Sequence, residues 1–326
     1  MKCLGLVADA GGTNVRFALV DLAARSAPAL LAVRKYPSRG FASIQDAAHV
    51  YLSELMLDGP PAAAVLSVAG PVSDNAIHMT NLGWRFTGRD VGEALGIASV
   101  RLINDYEAIA YSAPTLRQVD LREIGAAQAV ETSERETVAI IGPGTGLGVG
   151  GYVRTEASLI PLVTEGGHMD FAPVDDVEIE VLKFLRGRFG RVSAERILSG
   201  PGLSNLHEAL SAMQDGSGAR LEAHAITAQA LKEPDSPAGR TLARFCAILG
   251  SIAGDVALLM GARSGVLLAG GILPAIADFL AASQFRARFE AKGRFRTYMS
   301  AIPTRLIVQD NAGMMGAANL LCELAR

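Results

Sequence analysis

Two short apolar runs that each break on a glycine cluster and resume as a second apolar run constrain this chain more than any other feature. In the first, Leu4–Ala8 leads into Gly11-Gly12, after which Val15, Phe17 and Leu19 alternate with Asn14, Arg16 and Ala18. In the second, Val138–Ile141 runs into Gly142-Pro143-Gly144-Thr145-Gly146-Leu147-Gly148 and leaves through Val149–Val153. Each reads as strand, glycine turn, strand. Two such hairpins, well separated, predict a duplicated architecture. Further strands are predicted at Ala64–Val68, Val100–Ile103, Leu159–Val163, Val266–Ala269 and Arg305–Val308. Helices are predicted after an Asp175 or Asp176 cap and over the apolar segment from about Pro237 to Gly261. An α/β class with mixed sheets follows.

The 326 residues exceed what one core supports, so two domains and a cleft are expected. Half the residues are apolar and 19% are charged, which excludes long disordered regions. Lys and Arg number 30 against 33 Asp and Glu, so no positive field exists to draw nucleic acid or an anionic membrane. The expected partner is a small polar ligand. Cys3, Cys246 and Cys322 are odd in number, far apart and without a CxxC pairing, which argues for a reducing compartment. The run up to Asp9 is too short for a signal peptide, so the cytoplasm is the expected location. Phe245–Ala262 is membrane-like, but Asp255 at its centre points to a buried helix.

A glycine turn lets backbone N–H groups approach a phosphate, because no Cβ blocks the anion and positive φ is open. Asp9-Ala10-Gly11-Gly12-Thr13 is such a turn, and Asp9 beside it can hold Mg²⁺ through water. Asn104-Asp105 ends an apolar strand and opens a helix at Tyr106–Tyr111. Asp105 reads equally as a helix N-cap and as a base that takes the proton of an attacking hydroxyl, with Asn104 holding the sugar. Glu165-Gly166-Gly167-His168 offers a sugar mixed acceptors and donors. Ser193–Gly202 reads as a short helix with a glycine-proline stop, and Glu195 on its first turn is either a cleft residue or a surface acid. No GxxxxGKS/T and no HRD with a DFG partner occur. His207-Glu208 lacks the second His of a zinc-protease helix, and no GxSxG elbow is present.

Taken together, Asp9–Arg16, Leu102–Asp105, Gly142–Gly148, Glu165–Pro173, Ser193–Leu203, Leu268–Ile272 and Asp310–Gly313 resemble bacterial glucokinases in order and spacing over nearly the whole chain. The resemblance implies the actin-like, hexokinase-type ATPase fold. A small α/β domain would span 1–110 and about 311–326, and a large α/β domain 111–310. It implies that Asp105 is the catalytic base and that Asn104, Asp105, Glu165, His168 and Glu195 hold glucose between the domains. It implies ATP bound through Ala8, Asp9, Ala10, Gly11, Gly12, Thr13, Gly144, Thr145, Gly270 and Gly271, with Mg²⁺ carried by the nucleotide rather than by a dedicated protein site. Family members are usually homodimers, so a homodimer is expected. Ala10 and Ala8 stand where relatives often carry a β-branched residue and a Gly. The related ROK branch differs in a Cys-rich zinc motif and often an amino-terminal DNA-binding segment, for which the turn at Asp9 leaves no room.

Two rival readings share the fold: a sugar sensor or ATPase chaperone without transfer activity, and a kinase for mannose, fructose or an amino sugar. Polyphosphate or another nucleotide as donor is also compatible with these residues.

Overall fold

The computed structural model describes residues 3–24, 28–79, 81–126, 134–218 and 220–325. Met1, Lys2 and Arg326, which belong to the expected small domain, lie outside them. The chain begins with β1 (Leu4–Ala10), β2 (Asn14–Asp21), β3 (Leu31–Pro37), α1 (Ile44–Ser53) and β4 (Ala63–Val68). There follow β5 (Ala76–Met79), β6 (Trp84–Thr87), α2 (Gly88–Leu95), β7 (Ser99–Asn104) and α3 (Asp105–Ser112). Next come β8 (Leu121–Glu123), β9 (Glu136–Pro143), β10 (Leu147–Arg154), β11 (Leu159–Val163), α4 (Asp176–Phe189) and α5 (Gly200–Asp215). Then α6 (Ala223–Lys232), α7 (Pro237–Met260), β12 (Gly265–Leu268), α8 (Ala277–Ala282) and α9 (Phe285–Glu290) lead to α10 (Arg296–Ser300), β13 (Thr304–Ile307) and α11 (Ala312–Leu324). These elements form two compact units, Met1–Arg117 with Gln309–Arg326, and Gln118–Val308.

The first unit is built on a sheet of order β3-β2-β1-β4-β7. Strands β1, β4 and β7 are parallel and β2 and β3 antiparallel. Leu6, Ala8, Ala10, Leu66, Val68 and Leu102 fill a core on one face, and Val7, Val65 and Ile103 join Met314, Ala317 and Leu321 of α11 on the other. Both faces being covered, β1 and β4 read as continuous apolar runs rather than alternations. Helices α3 and α11 pack closely enough that a Cβ on Gly316 would lie 1.7 Å from the Ala108 carbonyl oxygen.

The second unit carries a sheet of order β11-β10-β9-β12-β13-β8. Its first five strands repeat the arrangement of the first unit: three antiparallel strands, then two that continue parallel to β9. The duplication expected from the two hairpins is therefore present in the strand order. Helix α7 is the buried helix expected from its apolar run, with Ser236 as N-cap and Gly261 closing it in the left-handed region. Asp175, rather than Asp176, caps α4 by accepting from the Glu178 N–H.

Gly200-Pro201 does not stop a helix. A 3-10 turn covers Ala194–Arg196, and Gly200-Pro201 opens α5, with Ser199 Oγ accepting from the Gly202 N–H at 3.0 Å. Proline fits there because the first turn has no use for its missing N–H.

Candidate active site

In the first unit the three parallel strands end level, since Ala10 pairs with Val68 and Val68 with Asn104. Ligands of open α/β sheets bind outside such carboxyl ends. The turn after β1 is braced from within the unit: Gly11 N–H donates to Asn14 O at 2.9 Å, Ser38 N–H to Thr13 O at 3.0 Å, and Ser38 Oγ to Gly11 O at 2.9 Å. Neither Gly11 nor Gly12 lies at positive φ, so the backbone freedom expected of them is not used. A Cβ on either would come no nearer than 3.5 Å to any neighbour. The fold itself demands neither glycine, which is what a turn kept bare for a ligand would show.

Asp9 is the penultimate residue of β1, two before Gly11, with Arg16 Nη1 3.3 Å from its Oδ2. Burial raises the Asp9 carboxyl above its ordinary range, and the Arg16 charge opposes that rise. The residues fit Mg²⁺ carried by a nucleotide, since a carboxylate stands beside a bare glycine turn.

Asn104, not Asp105, caps α3. Its Oδ1 accepts from the Tyr106 N–H at 2.8 Å, its own N–H donates to Glu107 Oε2 at 3.4 Å, and its Nδ2 donates to the Gly70 carbonyl at 3.0 Å. Asn104 is buried, and among the described residues one N–H of its amide makes no hydrogen bond. Asp105 is then the first helical residue, half-buried, at the carboxyl end of β7. The N-cap position belongs to Asn104, and Asp105 Oδ1 shares the same Tyr106 N–H at 3.1 Å from the first position of the helix.

In the second unit Glu165, His168 and Glu195 come together around Leu147. Leu147 N–H donates to Glu195 Oε2 at 3.0 Å, and a Cβ on Gly167 would lie 1.9 Å from Leu147 O. Thr164 Oγ1 donates to Val149 O at 2.6 Å and accepts from Gly166 N–H at 3.1 Å. The two loops are stitched by Ala194 N–H to Met169 O at 2.8 Å and Phe171 N–H to Val192 O at 3.0 Å. The backbones are thus fixed, while the exposed Glu165 and His168 side chains and Glu195 Oε1 make no hydrogen bond among the described residues.

The turn at Gly144 is held by Gly144 N–H to Gly146 O and by Gly200 N–H, from the start of α5, to Gly144 O, both 2.8 Å. A Cβ on Gly144 or on Gly271 would meet nothing within 4 Å. Gly270, at φ +87°, lies against the Pro143 carbonyl, so β12 brings Gly270-Gly271 beside the end of β9. A cavity of about 280 Å³ lined by Val177, Leu210, Met213 and Arg240 lies elsewhere in this unit and contains none of the candidate residues.

Sequence reasoning missed Arg16 as the partner of Asp9, although the two stand at mirrored positions about the glycine turn. It also missed the Gly200 N–H, whose role depends on the packing of α5.

The family model described as Glucokinase matches residues 6–324. A glucokinase of Caulobacter sp. is 47% identical over 315 residues, covering 97% of this chain and 94% of that protein. The crystal structure of a glucokinase from an Antarctic psychrotroph superposes with a TM-score of 0.85 at 38% identity, covering 99% of this chain and all of the other. A glucokinase of the ROK family from Streptomyces griseus, in complex with glucose and AMPPNP, shares the fold at a TM-score of 0.65 and 21% identity, over 97% of this chain and 98% of its own. The actin-like ATPase fold implied by the family resemblance is the fold of these neighbours, and with a match from residue 6 to residue 324 the chain belongs to the glucokinase family.

Proposed function

We propose that this chain transfers the γ-phosphoryl group of ATP to the 6-hydroxyl of D-glucose, the first step of glycolysis, with Asp105 as base. The observation that carries the reading is the level ending of β1 and β7, which sets Asp105 and the bare turn Gly11-Gly12 at one edge of one sheet. Asp105 accepts the proton as the hydroxyl oxygen attacks the γ-phosphorus, and the bond to the bridging oxygen of ADP breaks. Proton removal of this kind contributes about 10² to 10⁴ in rate. Positioning and charge stabilisation supply the larger share, because the transition state is loose.

Asn104, Glu165, His168 and Glu195 hold the glucose hydroxyls. Their support is the pairing of braced backbones with unspent polar side-chain atoms. Ala8–Thr13, Gly144, Thr145, Gly270 and Gly271 take the nucleotide, supported by glycines that the fold does not require at 11, 12, 144 and 271. Asp9 receives Mg²⁺ through water. When bound, Mg²⁺ neutralises phosphate charge. The glucose and AMPPNP complex of the Streptomyces griseus protein favours the same pair of substrates here. A homodimer working in the cytoplasm, without nucleic acid or membrane partners, rests on the family resemblance and on the near-neutral composition.

The test is a coupled assay for glucose 6-phosphate with calorimetric glucose binding in Asp105→Asn. Glucose affinity is expected within about threefold of the parent, with turnover lower by about 10² or more. Near-normal turnover removes Asp105 from the role, and glucose binding without glucose-dependent ADP release in the parent makes the chain a sensor.

A further inference from the structure

Four residues form a row across the first sheet: Arg16 on β2 pairs with Asp9 on β1, Asp9 with Ser67 on β4, and Ser67 with Ile103 on β7. Side chains alternate faces along a strand, and adjacent strands lie about 4.8 Å apart. Val7, Val65 and Ile103 belong to the cluster under α11, whereas Leu6, Ala8, Leu66 and Val68 belong to the opposite core. Asp9 and Ser67 therefore stand side by side on the α11 face, just beyond Val7 and Val65. Arg16 engages one flank of the Asp9 carboxylate. Ser67 stands on the other flank, 0% exposed, and its hydroxyl meets no hydrogen-bond partner among the described residues.

A buried hydroxyl without a partner costs stability, and alanine at the same place would not. Ser67 is the register neighbour of Asp9, the carboxylate beside the Gly11-Gly12 turn, which gives the hydroxyl a use. We propose that Ser67 is a positioning residue: its Oγ, with the Asp9 carboxylate, holds one water of the Mg²⁺ shell brought in by the nucleotide. Arg16 and Ser67 then fix Asp9 from its two sides, the first by charge and the second through that shared water. No bond is made or broken by Ser67. The inference rests on the reading that Asp9 receives Mg²⁺ through water.

The experiment measures ADP affinity by calorimetry in EDTA and in excess Mg²⁺, for the parent, Ser67→Ala, Ser67→Cys and Asp9→Asn. In the parent, Mg²⁺ strengthens ADP binding by a ratio that serves as reference. Loss of one hydrogen bond corresponds to about a 3- to 10-fold change, so that ratio is expected to fall by this factor in Ser67→Ala. Affinity in EDTA should stay at the parental value. Ser67→Cys fills the same space with a weak donor and is expected to behave like Ser67→Ala. A parental ratio in Ser67→Ala, or restoration of it by Ser67→Cys, overturns the proposal. Asp9→Asn is expected to lose the Mg²⁺ preference. If it keeps that preference, the reading of Asp9 itself fails, whereas a parental ratio in Ser67→Ala alongside loss in Asp9→Asn sinks Ser67 alone.

Discussion

Glu195 Oε2 accepts a hydrogen bond from the Leu147 N–H at 3.0 Å, across 48 positions of sequence, so one side chain braces the second glycine hairpin while its other oxygen, which the proposed function assigns to glucose, makes no hydrogen bond among the described residues. The two duties separate by substitution. Glu195→Gln retains an acceptor for Leu147 and should unfold within about 0.5 kcal/mol of the parent, with a raised glucose KM. Glu195→Ala loses both duties and should be less stable by about 1–2 kcal/mol, because the lost bond is to a charged but part-exposed group. Urea denaturation and a glucose titration read the two effects.

Two glycines of the second unit should respond in opposite ways. Gly167→Ala drives a methyl onto the Leu147 carbonyl at 1.9 Å, a backbone clash that no rotamer relieves, and should cost about 2–3 kcal/mol. Gly144→Ala meets nothing within 4 Å and is expected within about 0.5 kcal/mol of the parent. On the proposed nucleotide role of this turn, ATP KM should rise with stability unchanged. Thermal melting with steady-state kinetics distinguishes the pair.

Asn104→Ala removes the α3 cap and the bond to the Gly70 carbonyl, with an expected loss of about 1–2 kcal/mol. Because Asp105 is the next residue, turnover should fall as well. Asn104→Asp keeps an oxygen for the Tyr106 N–H but faces the Gly70 oxygen with a second acceptor. Its stability should lie between those of the parent and the alanine variant, as measured by equilibrium unfolding.

His207 is buried on α5, its Nδ1 3.0 Å from Thr241 Oγ1, and burial lowers its pKa below the ordinary 6.5. The unfolded chain therefore takes up this proton at a higher pH than the folded one. Between those two values the unfolded state binds more protons, so stability falls as pH drops below about 6.5. His207→Gln should flatten the unfolding free energy over that window, and equilibrium unfolding from pH 7.5 to 5 measures it. An unchanged slope would assign the acid sensitivity to other groups.

Parts of the fold and site were legible because their causes are local. The hairpins at Gly11-Gly12 and Gly144 announce themselves by apolar runs broken on glycine, and the Asn104-Asp105 junction by a strand giving way to a helix. Strand β3 was silent because its residues are almost all exposed, leaving no apolar periodicity. Gly200-Pro201 misled because the same dipeptide suits either helix end, and the Ser199 cap decides between them.

The sequence by itself determined the α/β class, the duplicated hairpins, the buried α7 and the identity of the chemical groups, since periodicity and turn chemistry act within a few residues. Only the tertiary structure decided that Asn104 rather than Asp105 is the cap, that Glu195 reaches Leu147, and that Arg16, Asp9 and Ser67 form one row. The physical reason is strand register: which side chains become neighbours across β2, β1 and β4 depends on hydrogen-bonded pairing between segments up to about 60 residues apart, and no local pattern encodes that pairing.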